Sequence, residues 1–167
     1  VDSLGPDPDP DALAELPYLT AVCQEFLRFT TTVPAASRTP FQKPWSIGGY
    51  DVPPGVYVSP NIFLIHHDPS IYPEPFRFRP ERFQEKEYTP YEFMPFGGGA
   101  RRCIGMALSL YEMRIVLGTL LRHLRFSALT PGVSEHIWRG MVMVPENQGT
   151  LRVTERRIPV SAKRVAA

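Results

Sequence analysis

Six prolines between positions 69 and 95 constrain this chain more than any other feature. Pro69, Pro73, Pro75, Pro80, Pro90 and Pro95 each lack a backbone N–H, fix φ and push the preceding residue out of the helical region. Residues 68–95 must therefore run mostly as an irregular meander. A stretch this long without regular structure is expected to wrap something or to serve a site. The whole chain carries 19 prolines in 167 residues, roughly twice the usual share of about 5%. Its 43% hydrophobic content still permits a packed core, so the meander reads as braced coil rather than disorder.

Regular structure is predicted on both sides of the meander. VDSLGPDPDP opens the chain as a Pro/Asp/Gly loop. Residues 12–29 read as a helix, with Pro17 at a favoured starting position. Leu19, Val22, Cys23, Phe26 and Leu27 recur at helical spacing as its buried face, and Pro34 stops it. Residues 35–59 read as short strands around a Gly-Gly turn and a Pro-Pro-Gly turn, followed by a short helix near 61–67. Residues 104–123 are apolar nearly all round, the pattern of a helix buried in a larger core. Residues 124–128, 137–144 and 150–154 read as terminal strands. The fold class is mainly α with small β-sheets (α+β).

With 18 basic and 17 acidic side chains the net charge is +1, which gives no reason to expect nucleic acid or an anionic membrane as partner. No apolar run is long enough to span a bilayer. The cysteines are Cys23 and Cys103, without C-x-x-C or regular His/Cys spacing, so neither zinc nor a disulfide scaffold is expected. A reduced, cytoplasmic setting follows by default, with membrane anchoring left open. His66-His67-Asp68 could suggest a metal cluster but is read as a helix-ending turn, and Cys23 as an inert core thiol.

The chemistry concentrates at 96–105, FGGGARRCIG. Three glycines allow tight turns and close approach to a flat object. Cys103 stands where the long helix begins, and a helix N-terminus favours a thiolate. Arg101 adds positive charge, Phe96 can shield the sulfur, and Gly105 leaves room at the helix start. Taken singly these features fit blander roles: a buried structural cysteine, or a phosphate-binding glycine turn. The second is weak because no Gly-Lys-Ser/Thr or G-x-G-x-x-G frame follows.

Together, Phe96, Gly99, Arg101, Cys103 and Gly105 match F-x-x-G-x-R-x-C-x-G, and the chain resembles the cytochrome P-450 family, its bacterial soluble members most. Glu25-Phe26-Leu27-Arg28 resembles the family's E-x-x-R element, and Pro80-Glu81-Arg82-Phe83 its P-E-R-F element. The resemblance implies haem b (iron protoporphyrin IX) with Cys103 as the axial thiolate ligand, which promotes O–O cleavage. It implies propionate contacts from Arg101 and Arg38, and a structural triad of Glu25, Arg28 and Arg82. Val33, Ala35, Met141 and Val142 would edge a lipophilic substrate pocket. Two small departures are Phe26, where a small or polar residue is usual, and Phe29-Thr30-Thr31 in place of Leu-x-Pro.

The implied activity is monooxygenation by O2, with electrons from a ferredoxin or flavoprotein reductase that Arg102 could help to dock. Family order and spacing place the sequence in the C-terminal part of the fold only, without the central helix that handles oxygen. Such a fragment could alternatively be a partial or degenerate gene product, or a non-catalytic haem-binding module.

Overall fold

The computed structural model describes residues 1–4, 8–130, 132 and 134–157. Residues 5–7 of the opening loop lie outside this set, as do positions 131 and 133 in the terminal strand region.

Helix α1 spans Pro10–Ala14 and is capped by Asp9, whose carboxylate accepts from the Asp11 N–H at 2.9 Å. Helix α2 spans Pro17–Thr30. The predicted single helix over 12–29 is thus two. Pro17 can begin a helix but cannot donate into a preceding turn, so the chain resets at Leu16, which is extended with ψ 117°. Helix α2 ends at Thr31, a non-glycine residue with φ 42°, and the Thr31 amide closes on the Leu27 carbonyl at 3.2 Å.

Strands β1 (Trp45–Ile47) and β2 (Tyr50–Val52) form an antiparallel hairpin across Gly48-Gly49, both glycines at positive φ. The other residues of the predicted 35–59 strand region are irregular, apart from isolated bridges of Ala35 to Asn61 and of Arg38 to Val58. Its prolines deny the N–H groups that a longer ladder needs. Helix α3 (Ile62–His66) is capped by Asn61, whose side chain accepts from the Leu64 N–H at 3.0 Å. Within the meander lies a single helical turn, α4 (Arg82–Glu85). Helix α5 spans Met106–His123. Strands β3 (Leu124–Ala128) and β6 (Leu151–Arg156) pair antiparallel. So do β4 (His136–Arg139) and β5 (Val142–Pro145). The predicted strand over 137–144 is therefore a hairpin, because Gly140 at φ 61° turns the chain in its middle.

The core joins Leu13 and Ala14 of α1, Leu19, Ala21, Cys23 and Leu27 of α2, and Ile62, Tyr72 and Met94. Helix α5 packs on α1 and α2 at Gly118, where an added Cβ would lie 3.1 Å from Leu19 Cδ2 and 3.2 Å from Leu13 Cδ2. The expectation for α5 is burial in a larger core; within this chain α1 and α2 cover one of its faces, and Leu108 and Val116 are exposed. Gly118→Val should cost about 1–3 kcal/mol by overpacking this contact, read as a lowered thermal midpoint. Among the described residues no helix is long and apolar enough to cross a membrane.

Candidate functional site

The loop joining the meander to α5 is folded on itself by its own backbone. The Gly97 N–H donates to the Met94 carbonyl at 2.9 Å, the Cys103 N–H to the Phe96 carbonyl at 2.9 Å, and the Arg102 N–H to the Gly99 carbonyl at 3.2 Å. A 3-10 turn occupies Gly99–Arg101. Gly97 and Gly99 sit at φ 72° and 64°, where other residues would be strained, and nothing lies within 4 Å of a Cβ built on either. Cys103 is exposed. A Cβ at Gly105 would lie 3.7 Å from the Cys103 sulfur, in ordinary contact with it.

Three hollows around this loop share Arg38 and Arg101 in their walls. One, of about 220 Å³, contains Cys103 with Val33, Ala36 and Phe96. A larger one of about 510 Å³ runs over Gly97, Gly98 and Gly99 toward Trp45 and Ile47. Arg38 and Arg101 form no ion pair among the described residues. The Arg38 guanidinium donates to the adjacent Ser37 carbonyl at 2.8 Å. An open sulfur, bare glycine backbone and two guanidiniums without carboxylate partners suit a flat, dianionic, iron-bearing ring. On these features the site fits haem b.

Behind the loop lies a buried ion cluster. Glu25 and Arg28 are 0% exposed and Arg82 2%. Arg28 grips Glu25 bidentately, with Nε to Oε2 at 2.7 Å and Nη2 to Oε1 at 2.8 Å. The i, i+3 spacing on α2 makes this geometry possible. Glu25 Oε1 also accepts from Arg82 Nε at 3.2 Å and from the Arg79 N–H at 2.8 Å. One carboxylate facing two guanidiniums leaves a surplus positive charge, and backbone carbonyls take it up. Arg28 donates to His66 O at 2.8 Å, and Arg82 to Pro73 O at 3.0 Å, Arg77 O at 3.2 Å and Glu74 O at 3.4 Å. The meander is thereby tied to α2 at its interior.

The predicted pocket-edge residues are dispersed. Val33 lines the Cys103 hollow, while Ala35, Met141 and Val142 line none of the hollows that hold Arg38 and Arg101. The β4–β5 hairpin still docks beside Val33, since the Met143 N–H donates to the Thr32 carbonyl at 2.8 Å. Ala36 and Trp45 line the hollows and were not singled out in the sequence; Ala36 follows Ala35 directly, and an offset of one residue along the extended chain exchanges the face presented.

Two other residues singled out by sequence lie in the interior. Cys23 is buried, and burial pushes its thiol above the usual range. His66 is buried too, and among the described residues no three His, Cys, Asp or Glu side chains converge as a metal site.

The family profile described as Cytochrome P450 matches residues 3–153. Cytochrome P450 135B1 of Mycobacterium tuberculosis is 36% identical over 84% of this chain and 29% of its own length. Cytochrome P450 3A29 of Sus scrofa is 40% identical over 71% of this chain and 24% of its own. Among solved structures, the cytochrome P450DA haem domain superposes with a TM-score of 0.77 at 28% identity, covering 90% of this chain and 33% of that one. The retinoic acid-bound cyanobacterial CYP120A1 gives 0.73 at 30% identity, covering 86% and 34%. The chain thus spans about a third or less of the length of the relatives it matches. On the profile match and the superposed fold together, it belongs to the cytochrome P450 family, whose members bind haem b.

Proposed function

We propose that the protein to which this chain belongs is a haem-thiolate monooxygenase. One atom of O2 enters a C–H bond of a lipophilic substrate and the other leaves as water, using two protons and two electrons from a ferredoxin- or flavoprotein-type donor. The observation that carries this reading is the exposed Cys103 sulfur in one wall with Arg38 and Arg101.

Haem b, when bound, supplies the redox-active iron at which dioxygen is cleaved. In this reading the Cys103 thiolate would hold that iron, and its electron density would favour the cleavage. The 97–103 backbone bonds hold the sulfur in place. Arg38 and Arg101 would hold its two carboxylates by charge-assisted hydrogen bonds. Val33, Ala36 and Ile62 exclude water from the Cys103 hollow, and their apolar character supports a lipophilic substrate. Glu25, Arg28 and Arg82 brace the meander and take no part in the chemistry.

The test is a carbon monoxide difference spectrum of the reduced, intact protein and of its Cys103→Ser variant. A strongly red-shifted Soret band should appear in the parent and vanish in the variant. A parent that binds haem without that band refutes thiolate ligation.

Arg102, exposed and adjacent to Cys103, is placed to meet an acidic electron donor. Arg102→Glu should slow association with the donor and flatten its salt dependence. Unchanged affinity and salt dependence would remove Arg102 from the docking face.

A further inference from the structure

The sequence offers His66 as part of a turn, yet the structure buries it completely between the ion-pair helix and the cysteine loop. Its Nε2 lies 3.1 Å from the Met94 amide nitrogen, and its Nδ1 lies 3.2 Å from Thr31 Oγ1. An amide N–H can only donate, so Nε2 must be an unprotonated acceptor. The Thr31 hydroxyl spends its proton on the Arg28 carbonyl at 2.8 Å, so it accepts from Nδ1–H. The two neighbours together fix one neutral tautomer. The ring also stacks on Phe93 with centroids 5.8 Å apart, and meets Tyr72 edge-on at 6.3 Å.

We infer that His66 is a positioning residue for the Cys103 thiolate, joining the end of α2 to the end of the meander, just before the cysteine loop, through Thr31 and the Met94 N–H. This rests on the haem-thiolate reading above. Among the described residues the Met94 amide has no backbone acceptor, and Met94 is 8% exposed, so His66 Nε2 is its partner. From Met94 the restraint passes along the loop. The Met94 carbonyl accepts from Gly97 and the Phe96 carbonyl from Cys103, each at 2.9 Å. The Met94 side-chain end lies 3.7 Å from a Cβ built on Gly98, supporting the loop from beneath. Remote hydrogen-bond partners that orient a metal ligand commonly govern metal retention as strongly as they govern geometry.

Intact holoprotein carrying His66→Phe and His66→Gln tests the role. Phe keeps the ring stacking and removes both hydrogen bonds, whereas Gln restores an acceptor at the reach of Nε2. Two readouts apply: the fraction of haem giving the red-shifted reduced carbon monoxide band, and the rate of haem loss to apomyoglobin. His66→Phe should lose most of the red-shifted fraction and release haem about tenfold faster, or yield no holoprotein. His66→Gln should stay close to the parent in both. Gly118→Val, which weakens the core elsewhere, should keep the red-shifted fraction and so separates loop positioning from general stability. A His66→Phe protein that matches the parent overturns the inference, as does a His66→Gln protein that fails as His66→Phe does, or a Gly118→Val protein that loses the band equally. A parent without the band would instead sink the haem-thiolate reading itself.

Discussion

Glu25→Ala should destabilise the protein by about 3–5 kcal/mol and leave little or no holoprotein. The carboxylate is the sole acid in a cluster with two guanidiniums, and all three side chains are at most 2% exposed. Removing it strands two buried cations that have no other carboxylate partner among the described residues, while the His66, Pro73, Glu74 and Arg77 carbonyls continue to fill their outer nitrogens. The half-buried Arg79 amide loses its acceptor as well, which adds part of the cost of an unmet donor. Set against a typical folding free energy of about 5–15 kcal/mol, such a loss reaches about a fifth or more of the total. It should fall first on the meander, whose residues 73, 74, 77, 79 and 82 converge on this cluster. Glu112→Ala, removing an exposed acid on α5, should stay within about 0.5 kcal/mol. Thermal midpoints and the haem-to-protein ratio of purified variants measure both. Holoprotein yield from Glu25→Ala equal to that from Glu112→Ala would refute the bracing role.

That cluster was legible in the sequence because its members sit in short patterns of fixed spacing that resemble family elements, the resemblance alone supplying Arg82. Glu25 and Arg28 lie i, i+3 on a helix among apolar neighbours, and Arg82 follows a proline and an acid. The cysteine loop was legible for the same reason, since five residue types at fixed offsets are far more specific than any one of them. Where reading failed, local pattern met a constraint it does not encode. Residues 137–144 alternate well enough for one strand, yet Gly140-Met141 turns them into the β4–β5 hairpin. Val56, Tyr57 and Val58 alternate too, but Val58 pairs only through a lone bridge to Arg38. The apolar circumference of α5 does not say what covers each of its faces, because burial depends on what packs against a helix. His66 had no distinguishing signal: its partners are a hydroxyl 35 residues upstream and an amide 28 residues downstream, and a backbone N–H leaves no trace in sequence.

The same histidine sets a pH dependence whose direction follows from its burial. Burial first, then the nearby Arg28 guanidinium and His67, hold the His66 imidazolium pKa down to about 4, against 6.5 for the free side chain. Folding therefore favours the neutral ring, and between these values the unfolded chain binds more protons. The stabilising contribution is complete above pH 6.5 and is lost as pH falls through 4. At about 1.36 kcal/mol per pH unit, the loss should reach about 2 kcal/mol near pH 5 and about 3 kcal/mol near pH 4. Groups packed against the ring act in the same direction or not in this window. His67 on α3 is also lowered by burial, and the Tyr72 hydroxyl is pushed well up, away from acid. Arg28 and Glu25 on α2 face each other at 2.7 Å. The half-buried acids Asp68 and Glu92 have lowered values, so their contribution fades as pH falls below the ordinary carboxylate range. Denaturation midpoints of the parent and of His66→Gln, compared from pH 7 to pH 4, isolate the term because every other group is common to both. The parent should lose stability faster than the variant below pH 6.5. Parallel curves would mean that His66 is already protonated in the folded protein, and would remove the acceptor that the Met94 amide requires.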